Sequence, residues 1–132
     1  MLERTTSTAR FDQRIDAVHT LHRDVETRGL LSLSKVGVHR YAADAETEIL
    51  CCAFAVDDEP VKLWTPGDAV PAEFREAAAN PNWLAVAHNA AFEMTIEELL
   101  LAPRYSWPVI PLERQRCTLA MASAFCPASS RG

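Results

Sequence analysis

The chain has 132 residues, of which 48% are hydrophobic, so its length corresponds to one domain with enough apolar side chains for a core. Its net charge of −5 argues against a free-standing nucleic-acid-binding protein, although not against a cleft that holds nucleic acid through bound metal. The longest uncharged apolar run, Ile49 to Val56, is far shorter than the roughly 20 residues that cross a bilayer, which argues against a membrane partner.

The two ends of the chain and its cysteines indicate a cytoplasmic protein. Residues 1–16 are polar, and the acidic side chains of Glu3, Asp12 and Asp16 argue against a transit peptide, so we expect a flexible tail there. Residues 125–132 have no periodicity, and we expect a second, disordered tail. No two cysteines have C-x-x-C spacing and no secretion signal precedes them, so reduced thiols are expected.

The first predicted strand has two carboxylates on one face. Strand side chains point alternately to opposite faces, and residues 18–26 alternate in this way. One face has the side chains of Val18, Thr20, His22, Asp24 and Glu26. The other face has those of Leu21, Arg23 and Val25. The strand therefore presents Asp24 and Glu26 side by side, with Cα atoms about 6 to 7 Å apart.

The segments that follow predict a mixed sheet. Residues 47–56 are apolar on both faces, as in a central strand, and residues 60–64 form its hairpin partner. A helix that begins at Pro71 leads to a short apolar strand, residues 83–88, which it can place parallel to the first strand. The expected arrangement is a three-stranded antiparallel meander followed by a parallel strand.

The strongest predicted helix begins with Asn89 as its N-cap residue and stops at Pro103. Its apolar stripe consists of Phe92, Ile96, Leu99 and Leu100. After a proline-rich connection, a further short strand and a short helix capped by Thr118 follow. The order β-β-β-α-β-α with this continuation predicts an α/β fold built on a mixed sheet.

The acidic strand face is either a solvated surface or a site for divalent cations. Two bare carboxylates would raise each other's pKa, and hard cations prefer carboxylate oxygens, but a D-x-E pattern alone is more often a solvated surface. Glu93, in the first turns of the helix after Asn89, is a third carboxylate at this edge of the sheet; it either complements the positive helix end or joins a metal site. Glu97, one turn later, would repel Glu93 unless one of them is engaged elsewhere, which favours metal.

Five segments in combination resemble one protein family. They are LHRDVETRGLLSLSKVGVHRYA, AETEILCCAFAVDD, VKLWTPGD, VAHNAAFE and IPLERQRCTLAMA, and they span about Leu21 to Ala122. Together they are similar to the 3′→5′ proofreading exonuclease domain of family A DNA polymerases, in its phage and prophage version. The resemblance implies that residues 17–124 form a ribonuclease-H-like domain, which removes nucleotides from a single-stranded DNA 3′ end with two Mg²⁺ or Mn²⁺ ions.

The resemblance also implies a role for each matching residue. Asp24 and Glu26 match the first exonuclease motif, D-x-E-T, in which the aspartate bridges both metals and the glutamate holds one metal and the attacking water. Glu93 matches the carboxylate of the second motif, N-x-x-[FY]-[DE], and would hold the second metal. The residues that match substrate-binding positions are Thr27, Leu30, Asn89 and Phe92.

Two features depart from the family pattern. The third motif, Y-x-x-x-D or H-x-x-x-x-D, which supplies a fourth carboxylate, is absent, so we expect a C-terminally truncated domain that is weak or inactive alone. Arg23 falls on a strand face that should be apolar, where an unpaired buried charge is costly. Either the domain has decayed, or missing helices leave this face open to water. The alternative function is a non-catalytic remnant that binds nucleic acid or contacts the polymerase.

Overall fold

The structure, a computed structural model, describes residues 18–125, with the backbone alone for residues 122–125. The predicted tails, residues 1–16 and 125–132, lie outside this part of the chain except for Phe125, which ends the last helix. The strands, β1 to β5, are His19–Arg28, Glu48–Val56, Lys62–Trp64, Trp83–Ala87 and Gln115–Cys117. The α-helices, α1 to α6, are Leu33–Val36, Val38–Ala43, Ala72–Ala79, Ala90–Ile96, Ala102–Tyr105 and Thr118–Phe125. A π-helical turn, Glu97–Leu101, joins α4 to α5, and a 3₁₀ turn, Leu112–Arg114, precedes β5.

One mixed sheet forms the centre of the domain. Its strand order is β3-β2-β1-β4-β5, in which β2 pairs antiparallel with β1 and β3, whereas β4 pairs parallel with β1 and β5. The predicted meander followed by a parallel strand is confirmed. The α/β fold class is confirmed as well, and the arrangement is consistent with a ribonuclease-H-like fold. Within residues 18–125, no helix has both the length and the apolar character needed to cross a membrane.

The central strand, β1, has the two different faces that its alternation predicts. Leu21 and Val25 are buried in the core between the sheet and the helices. Asp24 and Glu26 are exposed on the opposite face. Because the side-chain period of a strand is two residues, the buried leucine and valine fix the direction in which both carboxylates point.

β1 is paired on one side only over its second half. β2 pairs with β1 along nearly its whole length, but β4 pairs with it only as far as His22. Among residues 18–125, the remaining residues of β1 therefore have a free edge on the side of β4. Backbone N–H groups at this edge need acceptors other than a neighbouring strand, because buried backbone donors are almost always paired.

Aromatic and aliphatic side chains fill the core between the sheet and the helices. The rings of Trp64 and Phe74 lie 4.8 and 4.6 Å from the ring of Trp107, measured between centroids. Ile96 and Leu100 of the predicted helix stripe are buried. This packing holds α4 and the π-helical turn against the sheet.

Two helical features differ from the predictions. Pro103 does not end the helix, which continues to Tyr105 and stops where Ser106 has a φ of 58°. The π-helical turn before Pro103 has i→i+5 hydrogen bonds, and this wider spacing accommodates a residue that lacks an N–H group. Helices α1 and α2 are absent from the predictions because each is too short to have a hydrophobic period; Gly37, with a φ of 84°, separates them.

Arg114 connects the turn before β5 to the end of α3. Its guanidinium donates hydrogen bonds to the backbone carbonyls of Ala77, Ala78, Asn80 and Trp83. The last carbonyls of a helix have no intrahelical partner, and an arginine at this position satisfies them. This residue therefore has a structural role in joining α3, β4 and β5.

Candidate functional site

Glu93 closes the free edge of β1. Helix α4 begins just after β4 and runs back along β1, so its first turns face the second half of that strand. There the backbone N–H group of Val25 donates a hydrogen bond of 3.2 Å to Glu93 Oε1. Only 4% of Glu93 is exposed. The Glu93 carboxylate thus accepts the hydrogen bond that a backbone carbonyl of a neighbouring strand would otherwise accept from Val25.

Burial raises the pKa of Glu93 to about 7. Poor solvation disfavours the charged carboxylate and raises its pKa. This effect is larger than the opposite effects of the Val25 N–H group and of the positive charge of Arg23, both of which lower the pKa. The negative charge of Asp24 raises the pKa further. The charge of Asp24 therefore opposes the ionisation of Glu93, and a cation bound to both carboxylates would relieve this repulsion.

One cleft of about 500 Å³ brings several of the predicted site residues together. The predicted residues that line it are Asp24, Asn89, Phe92 and Glu93. The other residues that line it are Arg23, Val25, Leu33 and His88. Asn89 occupies the predicted N-cap position, but its side chain makes no capping hydrogen bond and is exposed. The amide of Asn89 is therefore free to contact a ligand in the cleft.

Glu26, Thr27 and Leu30 are not among the residues that line this cleft. Glu26 is exposed on the same strand face as Asp24. The hydroxyl of Thr27 is hydrogen-bonded to the hydroxyl of Tyr41 at 3.0 Å, and Leu30 is 81% exposed beyond the end of β1. The register of β1 against β2 shifts just after Glu26, and such a bulge changes the direction of the side chains beside it.

The described residues bring two carboxylates to the cleft rather than three. In the part of the chain from residue 18 to 125, no group of three or more His, Cys, Asp or Glu side chains is arranged to hold a metal ion. The oxygens of Asp24 and Glu93 have the chemistry that Mg²⁺ and Mn²⁺ prefer. These two carboxylates are the anionic donors that line this cleft.

Arg23 is buried and paired, so the expectation of a face open to water is wrong, and Arg23 is not the unpaired buried charge that suggested decay. Its Nε and Nη2 atoms donate hydrogen bonds of 2.8 and 3.0 Å to the carboxylate of Glu97, and Nη2 also donates one of 2.7 Å to Gln115 Oε1. The side chains of Arg23 and Glu97 are 0% and 3% exposed. Glu97 is therefore the carboxylate that is engaged elsewhere, and its partner is an arginine rather than a metal.

Asp24 also lines a second, smaller cleft, of about 250 Å³, on the outer face of the sheet. His22, which precedes the acidic pair on this face, lines the same cleft. Its apolar walls include Ala53, Ala55, Val61 and Val86. The aspartate is thus accessible from two directions, one acidic and one largely apolar.

The comparisons with known proteins relate this chain to a DNA polymerase. It is 35% identical over 106 residues to the DNA polymerase of Bacillus phage SP02, and the match covers 79% of the chain and 16% of that polymerase. The chain is therefore related to a region of a DNA polymerase, of which it spans about a sixth. No protein-family model and no solved structure matches the chain significantly.

The raised pKa of Glu93 predicts a pH-dependent effect of the Glu93→Gln substitution on stability. The folded chain holds this proton up to about pH 7, whereas the unfolded chain holds it only up to about pH 4.5. The neutral carboxyl therefore makes its whole contribution to the free energy of unfolding below pH 4.5, and this contribution is lost as the pH rises to 7. Glutamine stays neutral and keeps an oxygen for the Val25 N–H group. Urea unfolding without metal should show the variant gaining stability relative to the parent chain between pH 4.5 and 7, by on the order of 3 kcal/mol.

The matched control for this experiment is Glu98→Gln, which removes an exposed carboxylate from the same helical segment. Its stability relative to the parent chain should not show such a step. A Glu93→Gln variant whose relative stability is constant from pH 4.5 to 8 would contradict the placement of Glu93 in a buried position.

Proposed function

We propose that this chain is the metal-dependent 3′→5′ exonuclease region of a DNA polymerase, and that Asp24 and Glu93 are its principal metal ligands. The observation that carries the proposal is the cleft itself, which is lined both by a buried carboxylate on a helix, Glu93, and by a carboxylate on the central strand, Asp24. The relationship to a phage DNA polymerase supports a role on DNA. The bound cation is Mg²⁺ or Mn²⁺, because both ligands are carboxylates.

The side chains around the two carboxylates suit a nucleotide at a DNA 3′ end. Phe92 and Leu33 provide apolar surface in the cleft, on which a base can pack, and the exposed amide of Asn89 provides hydrogen-bonding groups. Leu30 and Thr27, at the end of β1, are proposed to contact the terminal nucleotide from outside the cleft. A divalent ion in such a site lowers the pKa of a bound water and stabilises the leaving oxygen.

Glu26 is proposed as a ligand of a second ion, although it does not line the cleft. It lies two residues after Asp24 on the same strand face, so a small change at the adjacent bulge brings its carboxylate toward the same cation or a neighbouring one. With two carboxylates in the cleft, the isolated chain is expected to bind metal weakly. Full activity then needs a further carboxylate, which the polymerase would supply as the partner of this domain.

The first test measures Mn²⁺ binding by isothermal titration calorimetry at pH 8. The parent chain should bind Mn²⁺, and Asp24→Asn should weaken binding by about tenfold or more, because one of two anionic ligands becomes neutral. The control is Asp58→Asn, which removes an exposed carboxylate from the turn after β2 and should leave binding unchanged. Equal affinity of the parent chain and Asp24→Asn would remove Asp24 from the metal site.

The second test follows trimming of 5′-labelled single-stranded DNA with Mg²⁺ or Mn²⁺. Slow shortening from the 3′ end is expected at high concentrations of the chain, because the described residues provide an incomplete ligand set. EDTA and the Asp24→Asn substitution should each abolish it. Internal cleavage, or shortening that survives EDTA, would contradict a metal-dependent exonuclease, and fast trimming would contradict the need for a further carboxylate.

A non-catalytic contact with another part of the polymerase is the second candidate function. The outer face of the sheet favours it, because Val61 and Leu63 are exposed there and the smaller cleft beside them has largely apolar walls. This candidate differs from the exonuclease in one measurable respect. The measurement compares the parent chain with Asp24→Asn. If both bind a polymerase fragment equally well and the parent chain takes up no Mn²⁺, the chain has a contact surface and no metal site.

A further inference from the structure

Two buried contacts fix helix α4 and the following π-helical turn along β1. Glu93 accepts the N–H group of Val25, and one turn later Glu97 binds the guanidinium of Arg23. Four helical residues advance about 6 Å, and two strand residues advance about 6.6 Å, so the two spacings match. Both carboxylates of this helical segment therefore face the same strand at the same time.

Arg23 is bound to Glu97 and lies beside the cleft that contains Glu93. It lines the same cleft as Glu93, and its positive charge acts on Glu93. Its Nε and Nη2 atoms are bound to Glu97, whereas Nη1 is buried and has no hydrogen-bond partner among the described residues. A guanidinium that lost Glu97 would have Glu93 as a nearby anionic partner, because a buried charge without a partner is strongly disfavoured.

We propose that Glu97 is a positioning residue, which holds Arg23 away from Glu93 and so keeps the Glu93 carboxylate available to a cation. The proposal rests on the metal site assigned above. The charges of Arg23 and Glu97 cancel, so above about pH 7 the carboxylates of Asp24 and Glu93 present two negative charges to a divalent ion. Without Glu97, Arg23 would neutralise one of the two metal ligands.

Gln115 strengthens this arrangement from the other end of the sheet. Its side-chain oxygen accepts a hydrogen bond of 2.7 Å from Arg23 Nη2, and its amide nitrogen donates one of 3.2 Å to the carbonyl of Ile110. The guanidinium is thus held on two sides, by the π-helical turn and by β5. A planar guanidinium bound by several acceptors keeps a fixed orientation, which a lysine ammonium would not.

The test compares Mn²⁺ binding by the full chain and three variants in isothermal titrations at pH 8. Glu97→Gln frees Arg23 to pair with Glu93, so the affinity should fall by about tenfold. The double variant Arg23→Met plus Glu97→Gln removes the competing cation, so the affinity should return to within about threefold of the parent chain. The control, Glu98→Gln, removes an exposed charge from the neighbouring position and should leave the affinity unchanged.

Urea unfolding of the same variants separates this role from a purely structural one, because removing both partners of a buried ion pair can also restore the stability that removing one partner costs. If the ion pair only stabilised the fold, a tenfold loss of Mn²⁺ affinity in Glu97→Gln would require roughly nine tenths of that variant to be unfolded, which its unfolding curve would reveal. The proposal is overturned if Glu97→Gln binds Mn²⁺ as the parent chain does, or if the double variant binds no better than Glu97→Gln. Should Glu97→Gln fail to fold, the double variant still tests the proposal. A Mn²⁺ affinity of the double variant about tenfold below that of the parent chain would contradict it.

A metal-free measurement distinguishes failure of this inference from failure of the metal site. Hydrogen exchange of the Val25 amide, followed by NMR, reports its bond to Glu93 Oε1 directly. Exchange should be faster in Glu97→Gln, where Glu93 moves to Arg23, and should slow again in the double variant. If the parent chain takes up no Mn²⁺, the proposed metal site is wrong, and unchanged Val25 exchange across the variants would show that Glu97 does not control Glu93.

Discussion

The structure depends on the contact between β1 and the helix that follows β4. β4 pairs with β1 only as far as His22, so in the described part of the chain the second half of the central strand has an open edge. Glu93 closes this edge by accepting the Val25 N–H group, and the bond between Arg23 and Glu97 fixes the helix one turn further along. The position of Glu93 beside Asp24 therefore follows from backbone hydrogen bonding and from the matched spacings of a helix and a strand.

The buried ion pair is better explained by function than by stability. Burying a pair of charges is costly, and well-packed apolar residues of similar size are often as stable or more so. Arg23 and Glu97 are nonetheless almost fully buried, and a third acceptor, Gln115, binds the same guanidinium. Among the described residues no salt bridge is formed by Glu93, and under the proposal above the Arg23–Glu97 pair keeps Arg23 away from that carboxylate so that it stays available to a cation.

The sequence predicted the sheet well because its signals are local and regular. The alternation in residues 18–26, the apolar segment 47–56 and the helix after Asn89 correspond to β1, β2 and α4. Their order is enough to derive the strand order, because a hairpin and a crossover helix allow few arrangements. The acidic face of β1 and the position of Glu93 at its edge were predictable for the same reason.

The remaining features depend on interactions between residues that are distant in the sequence. The partner of Arg23 lies 74 positions away, and no periodic pattern links the two. The register of β1 against β2 shifts between Glu26 and Thr27, because β2 has an extra residue, Leu50, opposite this point. The continuation of the helix through Pro103 depends on a π-helical turn, which local propensity does not predict. Of these features, the Arg23 side chain is the one that lines the cleft.

The central claim is that one divalent cation binds between the central strand and the helix at its open edge. The most direct test is a crystal structure of the chain with Mn²⁺, in which anomalous scattering locates the ion. The account predicts a peak about 2.0 to 2.6 Å from carboxylate oxygens of both Asp24 and Glu93. An ion bound to Asp24 alone with Glu93 still directed only to the Val25 N–H group, or no peak in the cleft, would contradict it.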